Sequence, residues 1–468
     1  MCNSCFVSFL REFSLKQLTT DSCVLVRISK EVLIIAIYVD DGLVCCSDKS
    51  LLNETISYLK DKFGILAAEA QCYVGLQIKR DRTKRLLGLH QTSDILQIVQ
   101  RFEMEEAEIS SASSVSLRRS GRTSELIGSL MYVSVGSRPD IACAVSILSR
   151  FLQLPKLPHW NAAKKVLGYL KSTSNYGLTY DGKESLIAYS DADYTSCCDT
   201  RKSITGIVVK LCSAPVIWKA TKQTITAEST TEAEFIACSS ASREIVWMRN
   251  FVSELGISCT QPTPLKLDDQ SAIKLVKNNQ IHSKIKQPDV RLMAVSERES
   301  QGQINVEYVQ TNEQEAVILT KPLPTKRFQF LRSLLGILPI MIIAILAVGR
   351  SCDALRINLK SKTSPIRSQL VLKVESPCAK IRSIERDMSK AELSTSYKVN
   401  ASMSQVTYDL CERVFKNKIE GAIKEMSYCM PAHRYKRAAL SRAGDLIDFV
   451  VGVTNFIHEA FVESTRTS

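Results

Sequence analysis

Three absences narrow this 468-residue chain before any motif is read. No zinc framework is present: Cys2 and Cys5 have Cys-x-x-Cys spacing, but no second such pair follows to complete a site. No secretory signal opens the chain, because Met1-Cys2-Asn3-Ser4 lacks a basic start followed by an apolar core. No long hydrophobic run exists either. The best candidate, 334–348, is interrupted by Gly336 and Pro339, and its about fifteen residues fall short of the roughly twenty that a spanning helix needs.

What is present is ordinary in bulk and specific in detail. The length allows two to three domains, and 45% hydrophobic residues suffice to bury their cores. A net charge of +13 favours polyanionic partners such as nucleic acid or an anionic membrane surface, or it reflects solvated Lys/Arg faces. Of the 16 cysteines, most stand in apolar runs, as Cys45-Cys46, Cys143, Cys212 and Cys238 do, and read as small core hydrophobes in a reducing compartment.

Acidic residues break apolar patterns at several places. The run 32–38 is continuous, apolar and β-branched, and reads as a buried strand. It ends at Val39-Asp40-Asp41-Gly42, and Leu43-Val44-Cys45-Cys46 returns. Paired carboxylates at a hairpin tip suit hard divalent cations and two-metal phosphoryl transfer. An ordinary Asp-Gly turn is the plain alternative. Tyr38-Val39-Asp40-Asp41 resembles the reverse-transcriptase palm signature. With Tyr73-Val74-Gly75-Leu76, Leu126-Ile127-Gly128-Ser129, Ser137-Arg138-Pro139-Asp140 and His159-Trp160 it resembles the Pol polyprotein of copia-type LTR retrotransposons, to roughly residue 337. The resemblance implies metal binding by Asp40 and Asp41. It also implies a third, upstream palm aspartate, which the residues before Asp40 do not supply, so no self-sufficient reverse transcription is expected. Residues 1–120 are thus read as a truncated reverse transcriptase and 121–183 as a helical connection. Lys164, Lys165 and Lys171 make one face of that connection basic, either solvated or contributing phosphate contacts.

Residues 184–330 carry the densest pattern. Leu186–Tyr189 reads as a strand ending at Asp191, Ile204–Leu211 and Ala214–Lys219 as two more, and Thr230 or Thr231 starts a helix that stops at Gly256. A short strand ends at Asp268, Val306–Val309 is a last strand, and Glu313–Leu319 a last helix. Thr231 with Glu234 fits a capping box. This β-β-β-α-β-α-β-α order is that of an RNase H domain, and Tyr189-Ser190-Asp191-Ala192-Asp193, Glu232-Ala233-Glu234 and Asp268-Asp269-Gln270-Ser271 resemble its copia-type form. The resemblance implies that Asp191, Glu234 and Asp268 are catalytic and hold Mg²⁺ or Mn²⁺, and that an RNA–DNA hybrid is the substrate. A fourth carboxylate is expected where Val317 stands. Glu315, two positions away and rotated roughly 200° on a helix, is a poor replacement. Activity is therefore expected to be weak or lost, with a non-catalytic nucleic-acid-binding remnant as the alternative.

The segment 331–350 is apolar and signal-like or membrane-contacting, with a buried helix against the nuclease as the plain alternative. Residues 351–468 carry Cys352, Cys378, Cys411 and Cys429, a sequon at Asn400, and a basic tetrad ending at Arg437 before an apolar stretch. Together these resemble part of an envelope glycoprotein with a processing site, a third functional reading. Cytoplasm or nucleus suits the Pol part and the secretory pathway suits the tail, so no single localisation serves both. The expected fold class is α/β (α+β): partial palm and thumb, an RNase H-like mixed five-stranded sheet with helices, and a poorly defined helical tail.

Overall fold

The computed structural model describes residues 10, 14–38, 41–81, 84–104, 116–181, 186–197, 199–277, 290–340 and 353–358. Asp40, Asn400, Arg437 and the cysteines at 352, 378, 411 and 429 lie outside the described residues.

The chain begins with strands β1 (Lys16–Gln17), β2 (Val24–Ile28), β3 (Val32–Tyr38) and β4 (Asp41–Cys46), helix α1 (Lys49–Phe63), and strand β5 (Leu66–Glu69). β3 is continuously apolar because both its faces are covered. Leu33, Ile35 and Ile37 meet Leu52, Ile56 and Leu59 of α1, while Val32, Ile34 and Ala36 join the main core on the other side. The hairpin pairs Tyr38 with Asp41 and Ile37 with Gly42. Asp41 and Gly42 are therefore strand residues and not the turn, which sets aside the Asp-Gly turn alternative. Asp48 caps α1 through the Leu51 N–H, and Gly64, at φ 61°, closes it.

Next come β6 (Cys72–Tyr73), β7 (Leu76–Asp81) and β8 (Leu86–His90), then helices α2 (Thr92–Arg101), α3 (Ser116–Gly136), α4 (Ala142–Ser149) and α5 (Leu157–Ser172), and strand β9 (Tyr176–Tyr180). The four helices enclose their own apolar cluster of Ile95, Val99, Leu126, Leu130, Leu148 and Leu167. On α5, Lys165 and Lys171 are exposed, and Lys171 donates to the Met104 carbonyl at 2.7 Å.

At the end of β8, His90 is 5% exposed. His90 Nδ1 and Thr92 Oγ1 are hydrogen-bonded at 2.8 Å, and the Thr92 hydroxyl also lies 2.8 Å from the Ser174 carbonyl oxygen. His90 Nε2 is buried without a hydrogen-bond partner among the described residues. Burial, and secondarily Lys79, lower the imidazole pKa to about 4. The unfolded chain takes up a proton near pH 6.5 and the folded one does not. The contribution is thus complete above that pH and is lost as pH falls toward 4. Urea denaturation should show about 1–3 kcal/mol less stability at pH 4.5 than at pH 7, and His90→Gln should remove most of that slope.

The remainder contributes β10 (Ile187–Asp193), β11 (Ile204–Leu211), β12 (Ala214–Lys222), α6 (Thr230–Glu254), β13 (Thr263–Leu267), α7 (Gln270–Lys277), α8 (Val290–Ser300), β14 (Ile304–Tyr308), a 3₁₀ turn at Glu315–Leu319, α9 (Thr325–Leu334), β15 (Ile337–Pro339) and β16 (Asp353–Asn358). Three sheets result, ordered β1-β2-β3-β4-β16-β5, β15-β9-β8-β7-β6 and β12-β11-β10-β13-β14. The expected mixed α/β class is what the chain adopts.

Two segments differ from the sequence reading. Of the apolar segment 334–348, residues 341–348 lie outside the described residues; in the rest, α9 ends at Leu334, Gly336 turns the chain at φ 67°, and Ile337–Pro339 pairs antiparallel with β9. Leu335, Ile337 and Ile340 are buried in protein. Among the described residues no helix is long and apolar enough to cross a membrane. Residues 353–358 lie between β4 and β5, antiparallel to both. Cross-links run between the third sheet and the rest: Tyr180 Oη donates to the Pro215 carbonyl and Trp218 Nε1 to that of Ser134.

Candidate metal centre

β10 is the central strand of the third sheet, antiparallel to β11 and parallel to β13. Parallel pairing brings the carboxyl ends of β10 and β13 to one edge, where side chains lose their strand neighbours and can turn into a site. Asp191 lies near the end of β10 and Asp268 directly follows β13, whose Lys266 pairs with Tyr189. α6 packs across β10 and delivers Glu234 from above. One ligand atom from each of Asp191, Glu234 and Asp268 falls within 4.8 Å of the other two. Among the described residues no comparable group of three includes Asp41.

The capping box lies two residues earlier than expected. Ser229 is the N-cap, its Oγ accepting from the Glu232 N–H at 3.1 Å, while the Glu232 carboxylate accepts from the Glu228 N–H. Glu232 thus does the capping, and Glu234 is free to face the sheet. Asp268 and Asp269 divide labour in the same way, since Asp269 caps α7 through the Ala272 N–H at 2.8 Å.

Like charges so close are costly without a counter-ion. Burial, then Asp191 and Asp268, push the Glu234 carboxyl up to about 9, against a bond from the Ala192 N–H. Its Oε2 is buried with no hydrogen-bond partner among the described residues. Burial also raises the Asp191 pKa, opposed by Lys321 and Thr320. Lys321 Nζ sits 3.3 Å from Asp191 Oδ1, and the Thr320 hydroxyl bonds Asp191 Oδ2. Burial would lower the Lys321 pKa, but Asp191 outweighs it and the net shift is upward. An orphaned carboxylate oxygen facing two other acids is the donor set a hard divalent cation takes.

The expected last helix is a 3₁₀ turn, and the difference matters. At three residues per turn, positions 317 and 320 eclipse on one face. Thr320 contacts Asp191, so Val317 shares the face that meets the site, whereas Glu315 is roughly 240° away. Glu315 pairs instead with Lys210 at 2.9 Å, both buried. Gln314, which the sequence reading missed, is fully buried and anchors the turn. Its Nε2 donates to the carbonyls of Ser190 and Lys266 at 3.0 and 3.3 Å, stitching β10 to β13 beside the acids. Thr320 and Lys321 were missed as well, and a three-residue spacing from Val317 was the available signal.

Gly206 pairs with Asp191 across β10 and β11. A Cβ there would lie 2.6 Å from Thr320 Cγ2 and 2.7 Å from the Ala316 carbonyl oxygen. Gly206→Ala is expected to push the turn off Asp191 and cost about 1–3 kcal/mol, read as a fall in the urea midpoint.

A strand hairpin returning at Asp41 and a mixed five-stranded sheet with three acids converging at its carboxyl edge define an α/β chain with a candidate metal centre. Residues 1–114 match the family model "Reverse transcriptase (RNA-dependent DNA polymerase)". The chain is 34% identical over 352 residues, 71% of its length, to the retrovirus-related Pol polyprotein from transposon TNT 1-94 of Nicotiana tabacum, of which it covers 26%. It is 33% identical over 324 residues, 66% of its length, to that from transposon RE1 of Arabidopsis thaliana, of which it covers 22%. The N-terminal RNase H domain of a Mycobacterium tuberculosis protein aligns with 32% of this chain and 96% of that one, at TM-score 0.21 and 13% identity. Over about 70% of its length the chain is thus similar to the Pol polyproteins of copia-type retrotransposons, and it spans about a quarter of the length of these curated relatives.

Proposed function

We propose that this chain carries a slow, divalent-metal-dependent RNase H-type activity on the RNA strand of RNA–DNA hybrids. The observation that carries this reading is the convergence of Asp191, Glu234 and Asp268 within 4.8 Å at the carboxyl edge of the sheet. These three would hold Mg²⁺ or Mn²⁺. When bound, the cation supplies Lewis-acid activation of water and neutralises charge on the leaving 3′ oxygen. The chain's own residues do the positioning: Gln314 fixes the spacing of β10 and β13, Thr320 orients the Asp191 carboxylate, and the Ala192 N–H holds Glu234. Val317, where the family carries a fourth acid, keeps the rate low. The positive net charge and exposed Lys165 suit a phosphate backbone.

The test is cleavage of an end-labelled hybrid by the full chain, because Tyr180 and Trp218 tie the third sheet to its neighbours. Cleavage in Mn²⁺ or Mg²⁺, absent in chelator and in Glu234→Gln, supports the reading. Hybrid binding with no cleavage at any metal concentration would instead make the chain a non-catalytic hybrid-binding remnant.

A further inference from the structure

We propose that residues 353–358 are a strand donated to the sheet of β1–β5, where they fill a strand-acceptor slot between β4 and β5. The slot is defined by the elements around it. β16 is antiparallel to β4 and to β5, so β4 and β5 run parallel to each other. Helix α1 connects them, which makes β4–α1–β5 a parallel crossover unit whose two strands are not neighbours. One intervening strand sets them about 9.5 Å apart, two strand spacings. α1 covers that width. Its Leu52, Ile56 and Leu59 cluster with Val44 and Cys46 of β4, and Ala67 of β5 packs against the same cluster. A crossover held at this width leaves backbone N–H and C=O groups unpaired along both inner edges unless a third strand enters.

β16 supplies that strand along its whole length. All six of its residues pair with β4, from Asp353 opposite Cys46 to Asn358 opposite Asp41. Four of them, Leu355 to Asn358, pair also with β5, from Glu69 back to Leu66. Among the described residues β5 has no other strand neighbour, so its place in the sheet depends on β16. The donor lies beyond β15 in the chain, which makes the start of the tail a structural part of the N-terminal sheet. It also closes the β4 edge beside Asp41, where a strand from any other source would otherwise add.

The experiment is oxidative cross-linking in the full chain with diamide, in a Cys352→Ser background so that the neighbouring native thiol takes no part. Ala354→Cys is in register with Cys45, and Asp353→Cys with Cys46. Cys45 belongs to the main core and Cys46 to the cluster under α1, on opposite faces of the sheet. Directly opposed residues have Cβ atoms about 4.5–5.5 Å apart, a small shift from disulfide spacing. Ala354→Cys should link to Cys45 and Asp353→Cys to Cys46, within one chain, and Cys45→Ala or Cys46→Ala should abolish the respective link. Leu355→Pro, which removes a backbone donor in mid-strand, is the second measurement. It should speed amide exchange in β5 by about tenfold or more and leave α6 unchanged. Links with the two partners exchanged, or links that join two chains on a non-reducing gel, overturn the proposal. So does the absence of any link together with unchanged β5 exchange in Leu355→Pro.

Discussion

Val317→Asp is expected to raise hybrid cleavage by about tenfold or more, roughly 1.4 kcal/mol or more off the barrier. It is also expected to destabilise the metal-free fold by about 2–4 kcal/mol. The two effects come from one placement. Val317 eclipses Thr320 in the 3₁₀ turn, and Thr320 contacts Asp191, so an acid at 317 lies on the face that meets the other carboxylates. The same side chain is 2% exposed and packs in the main core. A carboxylate there is a buried charge beside like charges, tolerable when a cation is bound and expensive when it is not. Stability in chelator and in millimolar Mn²⁺ should therefore diverge for the variant much more than for wild type, as binding to the folded state alone requires. A variant that cleaves no faster and is equally destabilised with and without metal would show that residue 317 does not reach the centre.

Arg138→Met should cost about 3–5 kcal/mol, the range for stranding one member of a buried ion pair. Arg138 is fully buried and makes a two-pronged contact with Asp140, Nε to Oδ1 at 3.0 Å and Nη2 to Oδ2 at 2.8 Å. Its remaining donors reach the Thr173 carbonyl at 2.9 Å and hydroxyl at 2.8 Å. Tyr169 Oη donates to the same Asp140 at 2.5 Å, and Arg332 of α9 donates to Tyr169. Methionine fills the volume but leaves Asp140 with a buried charge and one phenol. The double variant Arg138→Met with Asp140→Leu should recover a large part of the loss, since replacing both charges removes the stranded one. A single variant within about 1 kcal/mol of wild type in urea would mean that the cluster is not holding α9 and the connection helices together.

How much of this was written in the sequence depends on the range of the interaction. The β3–β4 hairpin, the long α6 and the strand order through Asp268 were legible, because apolar period and Gly256 are local signals. The three acids were legible as breaks in those patterns. The capping box was misplaced by two residues because Thr231/Glu234 and Ser229/Glu232 fit the same spacing, and only the packing of α6 on β10 says which glutamate must face the sheet. The last element was misread as a helix, since five residues cannot distinguish three from 3.6 residues per turn.

The sequence by itself determined the resemblance to copia-type Pol polyproteins, the mixed α/β class and which acids to look for, since each is carried by residues within a few positions of one another. The tertiary structure alone decided what surrounds those acids. Thr320 and Lys321 reach Asp191 across about 130 residues, Gln314 joins two strands from outside both, and Ile337–Pro339 closes a sheet begun at residue 72. Such contacts leave no periodicity, because nothing in the local chain specifies which distant backbone a side chain will meet.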